Sequence, residues 1–225
     1  SFATFAWRQT GFRRAHGTDP SGTTFRNPFG QLDGTTNLKP GTAEFAAAVW
    51  ARSDAPAWLR GGTGFVLRRI AMDMDGWDKV GREGRGNVVG RNVGNGAHIT
   101  GGTEHSEPDF EEKTQLGFPV INDVAHIRRA REPDPAKSIV RMGFTYDDDV
   151  EPAQVAGEDG LEVMSNTGLL FGSWQADVTA QYVPMQQRLA DADFLNQWTT
   201  PIGYVVVAIP PGCAKGGFIG EGLFA

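Results

Sequence analysis

Residues 65–73 read FVLRRIAMD, an apolar and partly alternating run with glycines before it and Asp75-Gly76 after it. A run of this length and pattern between turn residues is typical of a β-strand. Residues 138–146 and 168–174 are strand-like for the same reason. The sequence therefore predicts a strand at each of these three places.

Helical patterns lie between and after these strands. Residues 176–189 carry apolar side chains at helical spacing, and a short helix is expected around residues 77–80. Residues 44–50 are too few to predict a helix with any force, while 204–209 (YVVVAI) predict a buried strand that Pro210 ends. Because strands and helices are mixed without a regular βαβ rhythm, we predict an α+β fold with an antiparallel sheet.

Composition and charge exclude several classes of partner and site. The 225 residues include 21 Lys and Arg against 27 Asp and Glu, a net charge of −6 that argues against a nucleic-acid partner. The one cysteine, Cys213, excludes an internal disulfide and a cysteine-cluster metal site. Residues 81–120 hold nine glycines and show no regular spacing of hydrophobic residues. We therefore expect a long loop that either has a function or wraps around another group. The six-residue run at 204–209 is far short of the ~20 residues that span a bilayer.

Three residues could carry chemistry, and each has a plainer interpretation. His126 has apolar neighbours that suggest partial burial, which suits either an iron ligand or a core histidine with satisfied hydrogen bonds. Asp33 lies between glycines, and taken alone it is better explained as part of a turn. Arg141 interrupts an apolar strand, and a buried arginine needs a partner, which makes it a candidate anion clamp.

Read together, these segments resemble a known family. The motifs are GQLDGTTN at 30–37, AHIRRA at 125–130, IVRMGFTY at 139–146 and GLLFGSWQAD at 168–177, with LNQWTTPIG at 195–203 and PPG at 210–212 further along. Their order, with Arg141 15 residues beyond His126, is similar to that of the C-terminal, haem-binding part of the dye-decolorizing peroxidases (DyP-type haem peroxidases). The resemblance spans most of the chain.

The resemblance implies a role for each matched residue. His126 would be the proximal ligand of the iron in haem b (protohaem IX), Asp33 the distal acid and base, and Arg141 the distal charge stabiliser. The implied cofactor-binding set also holds Gly34, Thr35, Arg128 as a propionate partner, Leu169 and Phe171 as apolar walls, and Asp177 as acceptor of the His126 Nδ1–H. Met142 stands where the family often has a second arginine, so the contact of that arginine is in doubt.

The fold implied is a ferredoxin-like antiparallel sheet with helices, one half of a DyP-type α/β-barrel-like structure. Residues 1–225 would be the C-terminal haem-binding domain, with 1–40 rich in loops. The implied N-terminal half is expected as a separate chain that covers an otherwise exposed sheet face, because large apolar patches mark partner surfaces. The alternative is that this sequence is a fragment of a longer chain. An oligomer is also expected. Export to the cell envelope or beyond is the expected location, with the cytoplasm as the alternative.

The implied reaction is reduction of hydrogen peroxide through a ferryl intermediate, followed by oxidation of dyes, phenolics or other aromatic donors. A carboxylate with a reference pKa near ~3.9 can accept the peroxide proton at neutral pH. Two alternatives stay open: a haem-binding, deferrochelatase-like protein and a non-catalytic assembly partner. Trp174, Trp198 and Tyr204 could relay electrons or simply pack.

Overall fold

A computed structural model describes residues 4, 7–13, 24–150 and 165–224. Six strands are found there: β1 Phe25–Arg26, β2 Leu32–Asp33, β3 Thr63–Met72, β4 Val140–Asp148, β5 Asn166–Gln175 and β6 Thr199–Ile209. The α-helices are α1 Ala43–Val49, α2 Met74–Asp78, α3 Arg82–Val89, α4 His126–Arg129 and α5 Val183–Ala192. Short 3₁₀ helices cover Ala57–Leu59, Pro135–Lys137, Phe194–Gln197 and Glu221–Leu223, and a π-helical turn, Val178–Tyr182, leads into α5.

The main sheet has the strand order β4-β5-β3-β6, with every pair antiparallel. Helices α2 to α4 connect β3 to β4, and the π-helical turn with α5 connects β5 to β6. This βαββαβ arrangement is the ferredoxin-like motif. The α+β fold with an antiparallel sheet is thus confirmed, and the strands expected at 65–73, 138–146 and 168–174 are β3, β4 and β5.

Helix α4, which carries His126, is held in place by close packing on the end of α3. Gly90 ends α3 with φ +92°, a left-handed conformation that glycine adopts without steric cost. A side chain at Gly90 would also lie 2.6 Å from Ile127 Cγ1. Glycine therefore serves both the turn and the close approach of α3 to α4.

The core packs helices α2 and α3 against the sheet. Its buried members are Phe29, Met72, Trp77, Val88, Val89 and Leu169. The rings of Phe29 and Trp77 lie 4.4 Å apart between centroids, and Trp77 Nε1 donates to the Phe29 carbonyl oxygen at 3.2 Å. This contact ties the segment before β2 to the helical layer.

Three expectations need correction. The short segment 43–49 does form a helix, because Thr42 caps it by accepting a hydrogen bond from the Phe45 N–H at 3.2 Å. The glycine-rich stretch 81–120 begins with helix α3. Strand β6 is not buried: Val206 is 53% exposed and Tyr204 81%, and the strand lies at an edge of the sheet.

One further feature of the fold concerns membranes. Within the residues described, none of the helices combines the length and the apolar character needed to cross a bilayer.

Candidate active site

A cavity of about 790 Å³ lies between one face of the main sheet and the helices. Side chains alternate along a strand, so Arg68, Ile70 and Met72 of β3 point to the same face and line this cavity. The sheet side is completed by Leu169 and Phe171 of β5, and the helical side includes His126, Leu189 and Asp193. Two groups of polar residues face one another across these layers.

The first group is His126 with Asp193. His126 opens helix α4, and Asp193 follows α5, where its backbone N–H caps that helix by donating to the Leu189 carbonyl at 3.0 Å. His126 Nδ1 lies 2.6 Å from Asp193 Oδ2, and the Asp193 side chain is only 4% exposed. A carboxylate can only accept, so Nδ1 carries the proton and Nε2 keeps its lone pair. Among the residues described, none hydrogen bonds to that Nε2.

This contact corrects the expectation for Asp177. The Asp177 carboxylate accepts hydrogen bonds from the backbone N–H groups of Thr179 and Ala180, at 2.8 and 2.9 Å, and so caps the π-helical turn. The acceptor for His126 is instead Asp193, which the sequence analysis missed. Its available signal was its position two residues before Leu195, where the matched segment begins.

The second group is Asp33 with Arg141. Arg141 Nε donates to Asp33 Oδ1 at 3.1 Å, and Arg141 Nη1 lies 3.4 Å from Thr36 Oγ1. The two side chains are 17% and 30% exposed, so the pair lines the cavity without being sealed from water. Asp33 Oδ2 makes no hydrogen bond to any residue in the described part of the chain.

Asn37 holds this pair together and was also missed. Its Oδ1 accepts from the Arg141 backbone N–H at 3.0 Å, and its Nδ2 donates to the Arg141 carbonyl at 2.7 Å. The amide thus imitates a neighbouring strand along the edge of β4. Gly34, with φ +95°, turns the chain between Asp33 and Asn37, and a side chain there would lie 3.2 Å from Asn37 Nδ2.

The other predicted site residues divide into those at the cavity and those away from it. Leu169, Phe171 and Thr35 line the cavity, whereas Gly34 contributes the turn only. Gly143 faces Phe171 across the β4–β5 pair, and a side chain at Gly143 would lie 3.5 Å from Asp33 Oδ2. A small residue at that position therefore leaves room beside the carboxylate.

Arg128 does not line the cavity, which contradicts its expected role as a propionate partner. Its Nε and Nη2 both donate to the Ile121 carbonyl, at 3.1 and 2.7 Å, and Nη2 donates to the Phe110 carbonyl at 2.6 Å. The guanidinium is occupied in fastening the loop before α4. Arg68, Arg91 and Arg131 are arginines that do line the cavity.

Burial shapes the electrostatics of the wall near Asp33. Burial lowers the pKa of the Arg91 guanidinium, the positive charge of Arg141 lowers it further, and Glu104 opposes both. Burial likewise lowers the pKa of the His98 imidazole below its ordinary value of 6.5, with Arg91 adding to the effect. His98 is therefore neutral at pH 7.

Comparison with known proteins identifies this arrangement. The family model for "Dyp-type peroxidase, C-terminal" matches residues 24–214, a span that includes His126, Asp193, Asp33 and Arg141. The chain belongs to the DyP-type peroxidase family. This confirms the resemblance seen in the sequence, and the family is one of haem peroxidases.

Two curated relatives bear out the assignment. The chain is 34% identical over 224 residues to a dye-decolorizing peroxidase of Thermobifida fusca, covering 96% of this chain and 50% of the relative. It is 30% identical over 215 residues to a deferrochelatase of Yersinia pestis, covering 92% and 47%. The chain spans about half the length of these curated relatives.

Solved structures agree on the fold. A DyP-type peroxidase from Cellulomonas bogoriensis superposes with a TM-score of 0.85 at 43% identity, covering 95% of this chain and 56% of that one. The oxyferrous complex of DtpA from Streptomyces lividans superposes with a TM-score of 0.83 at 35% identity, covering 96% and 57%. Relatives in the family therefore bind haem.

The residues of this DyP-type chain fit such a group. The cavity of about 790 Å³ is within the ~300–1,000 Å³ usual for cofactor sites. The donor set also fits, because His126 offers a free Nε2 while a buried carboxylate holds its Nδ1–H. An imidazole oriented in this way is the usual axial ligand of peroxidase iron.

Proposed function

We propose that this chain forms the haem-binding part of a DyP-type peroxidase that reduces hydrogen peroxide and oxidises dyes, phenolics or other aromatic donors. The observation that carries the proposal is the pairing of two polar groups at one cavity: His126 with Asp193, and Asp33 with Arg141. A bound haem b would supply the redox chemistry. The protein would supply ligation, proton handling and access.

His126 would hold the cofactor through Nε2. Asp193 Oδ2 accepts the Nδ1–H at 2.6 Å, which fixes the ring orientation and raises the electron density on Nε2. Asp193 Oδ1 accepts from the Leu195 N–H at 3.0 Å, so the carboxylate itself is held from a second side. Such a rigid donor supports a high oxidation state of the metal it binds.

Asp33 would handle the proton. Its Oδ1 is held by Arg141, which leaves Oδ2 to accept a proton from one oxygen of bound peroxide and to return it to the departing oxygen, which leaves as water. The permanently charged Arg141 would stabilise the negative charge that develops on the departing oxygen. Leu169 and Phe171 would exclude bulky donors from this side of the cavity.

The deferrochelatase relative supports a second candidate, haem binding followed by iron release. Haem carriage needs His126 but makes no use of an acid–base pair, so the Asp33–Arg141 contact favours the peroxidase. A third candidate, a non-catalytic assembly partner, requires neither the His126–Asp193 pair nor the Asp33–Arg141 pair.

We further propose that polypeptide equivalent to the remaining half of the relatives packs on this one as a separate chain. Support comes from β6, an edge strand of 11 residues whose Tyr204 and Val206 are 81% and 53% exposed. A long apolar edge of this kind invites strand pairing. The electron donor would then react at a surface formed by both parts.

An absorption spectrum of the chain reconstituted with haem, taken before and after one equivalent of peroxide, tests the proposal. We expect a Soret band that shifts on addition of peroxide, and His126→Ala should abolish the native band. Asp33→Asn should keep the band and slow the shift by about 10²–10⁴-fold, the usual contribution of general acid–base catalysis. A band that only bleaches would favour iron release, and equal rates for the native chain and Asp33→Asn would exclude the carboxylate as base.

A further inference from the structure

The cavity wall contains three polar residues for which the peroxidase reaction gives no role. Gln31, Arg91 and His98 are 3%, 4% and 1% exposed, and all three line the cavity. Gln31 lies directly before strand β2, which carries Asp33. Arg91 and His98 face each other across an antiparallel bridge.

Arg91 is a buried cation that lacks an ion pair among the residues described. Its Nη1 donates to the carbonyl oxygens of Gly96 and Glu104, at 2.7 and 2.9 Å, while Nε and Nη2 hydrogen bond to no described residue. By contrast, Arg141 pairs with Asp33 at 3.1 Å. Burial of an unpaired guanidinium is costly, and an anionic ligand would offset that cost.

Gln31 provides an independent sign of a missing ligand. Both of its amide atoms, Oε1 and Nε2, are buried and hydrogen bond to no residue in the described part of the chain. A buried amide without partners destabilises the fold, so such groups in native proteins call for a specific explanation. An acceptor delivered into the cavity would satisfy Nε2.

The protonation of His98 affects the charge of the cavity wall that a ligand would contact. Its Nε2 lies 2.7 Å from the Ser106 carbonyl oxygen, which can only accept, so Nε2 carries a proton, and burial lowers the pKa of the imidazole. Nδ1 is buried and unpaired within the described residues. Arg91 therefore supplies positive charge to this part of the wall, together with Arg131 and Arg141 of the same cavity.

We propose that Arg91 and Gln31 form a carboxylate-binding subsite in the cavity wall. The guanidinium provides charge and two free donor nitrogens, Nε and Nη2, and the amide provides a further donor in the wall of the same cavity. The carboxylate could be a propionate of the haem, an assignment that rests on the proposed function, or that of a separate small ligand. This subsite replaces Arg128, which is occupied elsewhere.

The test compares ligands with and without carboxylates on matched variants. Ferric protohaem, its dimethyl ester and benzoate are each titrated into the chain, with tryptophan fluorescence and thermal unfolding as readouts. The variants are Gln31→Met, which keeps the side-chain volume, and Arg91→Lys. The control is Gln181→Met, a buried glutamine outside the cavity whose Nε2 already donates to the Ala48 and Ser138 carbonyls.

For a propionate, Gln31→Met and Arg91→Lys should weaken protohaem binding about tenfold and leave binding of the ester unchanged. Gln31→Met should not lower the unfolding temperature, because it removes only unpaired polar atoms. Gln181→Met should lower that temperature and leave both affinities as they were. For a separate carboxylate ligand, the cavity variants should lose benzoate and keep protohaem.

The proposal is overturned if both cavity variants bind protohaem and benzoate as the native chain does. It is also overturned if ester binding falls as far as protohaem binding, since the loss would then reflect the shape of the cavity. If the native chain binds neither protohaem nor its ester, the proposed haem function fails. Titration with benzoate then still tests the subsite: benzoate binding that depends on Gln31 supports the subsite, and the absence of benzoate binding refutes it.

Discussion

At the residue scale, the bond between His126 and Asp193 determines what the imidazole can do. We expect Asp193→Asn to weaken haem binding by about 10–100-fold, the usual effect of removing the partner of a ligating histidine. The reduction potential of the bound iron should rise, because the ligand becomes a poorer donor. Equilibrium titration with haem and a spectroscopic redox titration would measure both.

Asp177→Asn is the matched control for this change. It removes the same charge from a carboxylate that caps the π-helical turn and does not contact His126. Its haem affinity and potential should equal those of the native chain, since asparagine also caps well. Equal shifts in the two variants would show that the Asp193 effect is one of general charge and not of the bond to His126.

His98 gives the fold a pH dependence of known sign. Its pKa is lowered by burial and by Arg91, so below about pH 6.5 the unfolded chain binds a proton that the folded chain resists. The contribution of His98 to the free energy of unfolding is fully present above that pH. It falls by up to about 1.4 kcal/mol per pH unit as the pH drops. Urea unfolding at pH 7 and 5.5 should show a smaller loss for His98→Gln.

The comparison for His98 is His105, whose side chain is 63% exposed. His105→Gln should keep the native pH dependence, because this exposed side chain loses little contact with solvent on folding. If His98→Gln lost as much stability on acidification as the native chain, other groups would account for the effect.

The sequence identified those site residues that lie within a short, local motif. Asp33, His126 and Arg141 each lie inside a short motif, and the structure brings them to one cavity. Asp193 lies 67 residues from His126, and its contact arises only when α5 packs beside α4. Spacing along the chain carries no information on such a contact, so Asp177 and Asp193 could not be told apart.

At the scale of elements, the amide of Asn37 connects the loop after β2 to the edge of β4. Asn37→Ala removes both hydrogen bonds to the Arg141 backbone, at 3.0 and 2.7 Å. Without these bonds the loop after β2 would move away from β4 and separate Asp33 from Arg141. We therefore expect the reaction with peroxide to slow by up to about 100-fold. Stopped-flow absorption would measure this rate, and haem affinity should stay unchanged. A parallel loss of haem would show that Asn37 supports the whole cavity.

Strand β6 shows why burial is harder to predict than strand formation. The run YVVVAI at 204–209 was enough to predict the strand, and β6 does pair with β3 along its length. An apolar run does not reveal whether another layer covers it, because that layer need not be close in sequence. The prediction of a buried strand failed on this point, while the prediction of an antiparallel sheet is confirmed.

The exposed edge of β6 leads to a prediction about association. Val206→Lys places a charge at the centre of an apolar edge, which is how natural proteins block edge-to-edge pairing. We expect the native chain to self-associate and the variant to do so less, as measured by light scattering after size-exclusion chromatography. Circular dichroism should be the same for both. An identical mass distribution would mean that β6 contributes nothing to association.

At the scale of the whole molecule, the cavity links stability to its ligand. Ile70, Met72, Leu169 and Phe171 present apolar surface to a space of about 790 Å³, and bound haem would bury that surface. A ligand that binds only the folded chain adds about 2.7 kcal/mol at 100 times its Kd.

For a chain of this size, that free energy corresponds to a rise in Tm of roughly 5–11 °C. Calorimetry of the native chain with and without haem should show the rise, and His126→Ala should reduce it because the axial bond is lost. The rise should grow with the logarithm of haem concentration, which separates specific binding from a general effect of a hydrophobic additive. An unchanged Tm would mean that the cavity closes or fills without haem. The pairing of His126 with Asp193 would then be a structural contact and not an iron site.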